Sequence, residues 1–154
     1  SQQVYQKPRV WGSQKAIVTG PKGEEIHCEP YGRVRVRFLW DRAGHVDDGS
    51  SCWLRVASNW AGNSYGSVTI PRVGMGVLVT FMEGDPDEPL IRGCLTNSAN
   101  ARPYPLPARN TRTVFRSCSS PGNNVFNWLH LEDRAGQGLI YRLAQGDMEQ
   151  KIEN

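Results

Sequence analysis

Apolar and polar residues alternate in short runs along this chain, and residues typical of turns separate the runs. The clearest run spans residues 33–40, where a period of two places every second side chain on the same face of a strand. Its apolar residues take the even positions and three arginines take odd ones: Val34, Val36, Phe38 and Trp40 against Arg33, Arg35 and Arg37. The pattern predicts a strand with an apolar inner face and a basic outer face.

The same reasoning predicts further strands in residues 14–19, 52–57, 68–70, 77–82, 90–95, 125–132 and 139–144. No long stretch carries the apolar stripe of an amphipathic helix, so the chain is predicted to be all-β. Residues 77–82 are apolar on both faces, which indicates that the outer face, with Leu78 and Met82, is covered as well. The strands up to Leu95 fit a small closed barrel of the OB type, with about five strands.

The pattern changes after Leu95. Residues 97–107 contain three prolines and little alternation, which predicts an extended, polyproline-like tether. The two strands that follow would form a ribbon, and a lone two-stranded ribbon is marginally stable in water, so it needs a partner. Identical copies around an axis are the simplest partner. We predict an incoming linker (1–12), the barrel (13–96), a Pro/Ser/Gly-rich linker (97–124) and the start of a second β element (125–154).

Composition narrows the functional classes. The chain has 154 residues and a net charge of +3, which is too mild to argue for nucleic acid or an anionic membrane as a partner. No apolar run is long enough to span a bilayer, and the polar first residues do not resemble a signal peptide. Because the chain starts without a methionine and stops within an alternating run, we expect a fragment of a longer protein.

The four cysteines are Cys28, Cys52, Cys94 and Cys118. They form no Cys-x-x-Cys pair, and their spacing matches no zinc framework. Cys52 and Cys94 lie in apolar strands and are predicted to be small core residues. The sparse spacing favours free thiols in a reducing compartment such as a bacterial cytoplasm, and it leaves a disulfide open.

No local motif predicts a catalytic, cofactor-binding or metal-binding residue. Paired carboxylates such as Asp47 and Asp48 lie in predicted turns, where Asp is common on conformational grounds. The three histidines are scattered, and His-Glu-x-x-His does not occur. Gly74-Met75-Gly76 is too short for a dinucleotide fingerprint. We therefore expect no enzyme and no cofactor in these residues.

The arginine face is the strongest candidate for binding. OB barrels commonly bind single-stranded nucleic acid through a basic groove and stacked aromatic rings, here Trp53, Trp60 and Tyr65. The other interpretation is a solvated surface or a contact between subunits, where arginine is common. The mild net charge and the acidic loops favour the second interpretation, so no nucleic acid is expected. A single-strand-binding module is kept as the alternative function.

Residues 31–42 read Tyr-Gly-Arg-Val-Arg-Val-Arg-Phe-Leu-Trp-Asp-Arg, and residues 83–89 read Glu-Gly-Asp-Pro-Asp-Glu-Pro. Both stretches closely resemble signatures of the VgrG (valine–glycine repeat) spike proteins of type VI secretion. The resemblance extends over nearly the whole chain, with further matches at 51–56, 60–62 and 70–77, at a linker with Asn97 and 104–107, and at needle repeats in 127–133 and 144–154.

The resemblance implies an OB-fold collar, similar to that of the phage tail-lysozyme spike, between an N-terminal hub and a trimeric β-helix needle. It implies a structural component that caps the tube protein of the secretion system and carries a PAAR-type tip with effector or adaptor proteins. Such a spike assembles in the bacterial cytoplasm, contacts the target-cell membrane mechanically and is delivered into the target cell. The equivalent collar of a contractile phage tail is the alternative within this architecture.

The implied homotrimer requires surfaces between subunits. We expect them among the three arginines and the apolar residues of later strands: Arg33, Arg35, Arg37, Leu78, Met82, Phe126, Trp128, Leu129, Leu131 and Ile140. Any toxin activity of a parent protein is expected outside these 154 residues.

Overall fold

A computed structural model describes residues 6–40, 52–97, 100–122 and 124–154. Contacts divide the chain into two compact units, Ser1–Asn100 and Ala101–Asn154. In the described part, the first unit contains seven strands: β1 (Ser13–Thr19), β2 (Arg35–Phe38), β3 (Arg55–Val56), β4 (Ala61–Gly62), β5 (Tyr65–Gly66), β6 (Gly76–Phe81) and β7 (Pro89–Leu95). The second unit contains three: β8 (Arg112–Arg116), β9 (Trp128–Glu132) and β10 (Leu139–Leu143).

Five strands of the first unit form one sheet, in the order β2-β1-β6-β7-β3. Neighbours are antiparallel except β3 and β7, which are parallel. Val34 and Leu54 directly precede β2 and β3 and exchange two backbone hydrogen bonds, with N–O distances of 3.0 and 2.7 Å. These bonds join the two edge strands, so the sheet curls and closes on itself. The all-β class and the OB-type barrel predicted from the alternation are confirmed.

The core of the first unit comes from the inner positions of these strands. Val34 and Val36 are fully buried on β2, as the period of two predicts. Phe38 is half-buried, and its ring lies 6.2 Å from that of Phe81. Trp40 is exposed, contrary to the prediction, and its indole N–H donates to the Gln14 side chain at 2.6 Å. The alternation fails there because β2 already ends at Phe38.

Several other expectations for the first unit are wrong. Residues 68–70 form no strand; a two-stranded hairpin, β4–β5, lies just before them, within a segment where no strand was predicted. Gly66 in that hairpin has φ +132°, and a Cβ there would lie 2.4 Å from the carbonyl oxygen of Trp60. Met82 starts a 3-10 turn (Met82–Gly84) instead of ending a strand. Cys52 and Cys94, predicted as core residues, are exposed.

The segment before β1 contacts the turn between β6 and β7. The amide of Val10 donates to the carbonyl of Gly84 at 2.7 Å, and the Arg9 guanidinium donates to the carbonyl of Glu83 at 2.6 Å. Lys7 makes ion pairs with Asp85 at 2.8 Å and with Asp87 at 2.5 Å. The residues predicted as an incoming linker are therefore attached to the barrel over their described part.

The second unit contains a three-stranded antiparallel sheet in the order β10-β9-β8. β9 and β10 were predicted as a two-stranded ribbon, whereas β8 was not predicted at all. Before β8, the Tyr104 hydroxyl donates to the carbonyl of Arg112 at 2.7 Å, and residues 106–111 form turns. The proline-rich segment is thus folded against β8 and does not run on as a simple extended tether.

Candidate functional site: two interaction surfaces

The β8–β10 sheet exposes an apolar face. Cross-strand pairing places Phe115 opposite Leu129, and both Thr113 and Ile140 opposite Leu131, so their side chains share one face. In this structure Phe115 is 74% exposed, Ile140 66%, Leu131 38% and Leu129 37%. We call these four residues, Phe115, Leu129, Leu131 and Ile140, the apolar face. Large apolar side chains grouped in this way are typical of a surface that contacts another protein.

The opposite face of the same sheet carries polar groups that are largely covered. Glu132 is 8% exposed and accepts hydrogen bonds from the Thr111 hydroxyl at 2.5 Å and the Arg134 amide at 2.9 Å. Arg112 lies 3.4 Å from the same carboxylate. These interactions lower the pKa of Glu132 below its usual value, and the hydrogen bond from Thr111 has the largest effect. The polar groups at the centre of this face are therefore covered, while Leu139 and Tyr141 on the same face are 52% and 42% exposed.

Aromatic rings extend this covered face. The Trp128 indole N–H donates to Nδ1 of His130, and the His130 ring stacks on Tyr141 at 5.1 Å. Phe126 packs edge-on against Trp128 at 6.0 Å and lies under the Arg116 guanidinium at 4.1 Å. Phe126 and Trp128 were grouped with Leu129, Leu131 and Ile140 as interface candidates. The structure places the two aromatic residues with the covered face and the three aliphatic ones together on the apolar face.

Phe115 belongs to the apolar face but was missed by sequence analysis. It lies in β8, within the segment predicted as a linker. The run Arg112–Arg116 contains the strand-favouring residues Thr, Val and Phe but does not alternate, so the period of two gave no signal for it. Its place on the face becomes evident only from its pairing with Leu129.

A second surface lies on the outside of the barrel. Arg35 and Arg37 alternate with buried residues of β2, and Arg33 continues the same face just before the strand. The antiparallel bridge between Val34 and Leu54 places Arg33 opposite Arg55. Lys15 lies on the outer face of β1, two residues from the partner of Arg37. We call these five residues, Lys15, Arg33, Arg35, Arg37 and Arg55, the basic belt.

Neighbouring side chains order the arginines of the belt. The Arg35 guanidinium lies 4.6 Å from the ring centre of Trp53, and His27 packs against the same ring at 5.0 Å. Glu29 binds Arg33 through a side-chain hydrogen bond of 3.2 Å, and the pKa of Glu29 is lowered by this partner. Nε of Arg35 and of Arg37 is buried and has no hydrogen-bond partner among the described residues.

The aromatic platform considered for nucleic acid is not assembled. Trp53 is contacted by Arg35 and His27, whereas Trp60 and Tyr65 belong to the β4–β5 hairpin and pack edge-on against each other at 5.9 Å. Bases stack on free aromatic faces, so this arrangement offers little support for single-strand binding through Trp53.

The remaining interface candidates are Leu78 and Met82. Leu78 is half-buried on the outer face of β6, while Met82 is 43% exposed in the 3-10 turn. The sequence indicated that both are covered. The structure covers Leu78 in part and leaves Met82 largely open.

Within residues 6–40, 52–97, 100–122 and 124–154, no group of three or more His, Cys, Asp or Glu side chains could hold a metal ion. No helix there has the length and apolar character needed to cross a membrane. His45 and the paired Asp47 and Asp48 lie outside the described residues.

Comparisons with known proteins agree with the motifs. Residues 16–95 match the family described as the type VI secretion system/phage-baseplate injector OB domain. The type VI secretion system spike proteins VgrG4b and VgrG5 of Pseudomonas aeruginosa are 62% and 59% identical to 97% of this chain. A Vibrio cholerae protein named actin cross-linking toxin VgrG1 is 47% identical over 96% of the chain.

The chain spans only a small part of these relatives, 19% of the length of each Pseudomonas protein and 13% of the Vibrio protein. The likeness to VgrG spike proteins that the motifs predicted is confirmed along nearly the whole chain. The match over the barrel, together with its closed five-stranded topology, leads to one assignment. This chain belongs to the type VI secretion system/phage-baseplate injector OB domain family.

Proposed function

We propose that this chain is the collar of a type VI secretion spike. In this proposal the barrel is a rigid structural module, and the β8–β10 sheet is the root of a threefold β needle. The role is mechanical and not catalytic: the collar transmits force from the preceding part of the spike to its tip. The family match and the names of the relatives support the spike, while the trimer rests on the apolar face.

The apolar face is the observation that carries the proposal. A single copy leaves Phe115, Leu129, Leu131 and Ile140 in water while it covers Glu132 and His130. Burying apolar area stabilises by about 25 cal/mol per Å², so contact between these faces is favourable. In a cyclic trimer every copy presents the same face to a common axis, which lets three such faces bury one another.

Partners follow from the position of a collar in a spike. We propose a tube protein on the side of the incoming chain, and a PAAR-type tip with effector or adaptor proteins on the needle side. The spike would assemble in the cytoplasm and leave with the secreted material. One relative is named an actin cross-linking toxin, and we place any activity of that kind outside the segment matched here.

The mass of the chain in solution, measured by light scattering over a range of concentrations, tests the trimer. We expect the average mass to rise with concentration towards three times the chain mass. Ile140→Glu places a charge on the apolar face and should hold the protein at one chain mass. A monomer at every concentration would contradict a trimer driven by this sheet.

Val68→Glu is the matched control, because Val68 is 84% exposed in the barrel unit and does not belong to the apolar face. It introduces the same charge and should leave the concentration dependence unchanged. Equal loss of association in both variants would show that net charge, and not the apolar face, controls the mass. Circular dichroism of each variant confirms that it remains folded.

A further inference from the structure

We propose that the basic belt of the barrel is a docking surface for an extended acidic segment of a partner protein, bound through its carboxylates. The belt lies on β1, β2 and β3 and at Arg33, just before β2. Residues 16–95, which match the family, contain four of its five side chains, all but Lys15. The inference concerns the outside of one barrel and does not depend on the trimer.

The spacing of the arginines fits an extended partner. Arg35 and Arg37 are two residues apart on one strand, so their stems are about 6.7 Å apart. Carboxylates at alternate positions of an extended peptide repeat at the same distance. A planar guanidinium binds a carboxylate with two parallel hydrogen bonds, which a lysine ammonium cannot do.

The belt already holds one carboxylate. Glu29 accepts hydrogen bonds from the Arg33 side chain at 3.2 Å and from the amides of Tyr31 and Arg33 at 3.0 and 2.9 Å. Arg35 is kept in place by Trp53, at 4.6 Å, before any partner arrives. Nε of Arg35 and Arg37 is buried without a hydrogen-bond partner among the described residues, so each guanidinium has donor capacity that the described barrel does not use.

The same observations favour a protein over a single-stranded nucleic acid. A nucleic acid gains much of its affinity from bases stacked on open aromatic rings. Here Trp53 is already packed by Arg35 and His27, and its ring is not an open platform. Carboxylate recognition needs only the guanidinium groups, and the cation–π contact with Trp53 orients one of them.

The experiment measures binding of a labelled peptide of alternating glutamate and threonine to the full 154-residue chain by fluorescence anisotropy. A glutamine–threonine peptide is the neutral probe, and an oligothymidylate of equal charge is the nucleic-acid probe. We expect the acidic peptide to bind, to weaken as salt rises, and to lose about tenfold or more in affinity for the Arg35→Gln/Arg37→Gln variant. The neutral peptide should not bind.

Arg102→Gln/Arg109→Gln is the matched control, since it removes the same charge from exposed positions in the second unit. It should bind the acidic peptide within about twofold of the parent. If the Gln pair does not fold, Arg35→Lys/Arg37→Lys keeps the charge while removing the bidentate donors, and it should still weaken binding.

Three results would overturn the proposal. The first is no binding of the acidic peptide at low salt. The second is an equal loss of affinity in the control pair, which would reduce the effect to net charge. The third is tighter binding of oligothymidylate than of the peptide, which would assign the belt to nucleic acid.

Discussion

At the scale of single residues, Lys7 links the incoming segment to the barrel. Its ammonium group lies 2.8 Å from Asp85 and 2.5 Å from Asp87. Asp85 raises the pKa of Lys7 above its usual value, with Asp87 as the next contributor, and Lys7 in turn lowers the pKa of Asp85. Exposed ion pairs contribute little, so this link acts with the backbone bond from Val10 to Gly84 and not alone.

These shifts predict how the link depends on pH. The pKa of Asp85 is lower in the folded chain than in the unfolded one, so its contribution is present above the unfolded value of about 3.9 and is lost as pH falls through the folded value. We expect the Val10 amide to exchange a few-fold faster in acid, after correction for intrinsic exchange. Asp85→Asn should exchange faster at neutral pH as well and depend less on pH.

Lys22→Met is the control for this measurement, because it removes a cation from an exposed turn far along the chain from Lys7. It should leave the exchange of the Val10 amide unchanged. Equal Val10 exchange in the parent and in Asp85→Asn at neutral pH would show that the ion pair does not hold the segment.

At the scale of elements, the closure of the barrel depends on two very short stretches. β3 has two residues, and the edge of the sheet is completed by the bridge between Val34 and Leu54. The Leu54 side chain is 1% exposed and belongs to the core. We call this bridge between Val34 and Leu54 the seam. Leu54 therefore supplies both the backbone pairing at the seam and the side-chain packing beneath it.

Leu54→Ala should destabilise the barrel by about 2–5 kcal/mol, because it leaves a cavity in the core directly under the seam. The free energy of unfolding from urea titration measures the effect. Val68→Ala removes methyl groups at a position that is 84% exposed and should stay within about 0.5 kcal/mol of the parent. A similar small change in both variants would show that the core does not extend to the seam.

Alternation predicted most of the strands. Predicted runs contain or overlap β1, β2, β3, β6, β7, β9 and β10. β8 and the β4–β5 hairpin were missed, since their runs are short and their pairing depends on distant or glycine-dependent contacts. Residues 68–70 show the opposite error, since they were predicted as a strand and form none. A strand-like composition does not produce a hydrogen-bonded ladder unless a neighbouring strand pairs with it.

At the scale of the whole molecule, the eight buried apolar core residues among the described residues all lie in the first unit, between Ala16 and Ile91. Asn100 also belongs there, since its side chain donates to the carbonyl of Gly74 at 3.2 Å. This distribution indicates that the barrel carries its own stability. The boundaries predicted from composition, at residues 96 and 124, stay predictions.

A chain that ends at Asn100 should fold as a monomeric barrel, because it keeps this core and the seam. We expect near-ultraviolet circular dichroism like that of the barrel in the full chain, a cooperative thermal transition, and one chain mass by light scattering. An unfolded product would place the boundary of the barrel beyond Asn100.

The sequence by itself determined the all-β class, the basic outer face of β2 and the family, because each is encoded in local alternation or in long ordered motifs. The tertiary structure alone decided which residues meet. Only pairing between distant strands brings Phe115 to Leu129, Trp53 to Arg35, and Val34 to Leu54. The physical reason is that a strand's period assigns each side chain to a face, whereas its neighbours across the sheet depend on register and topology.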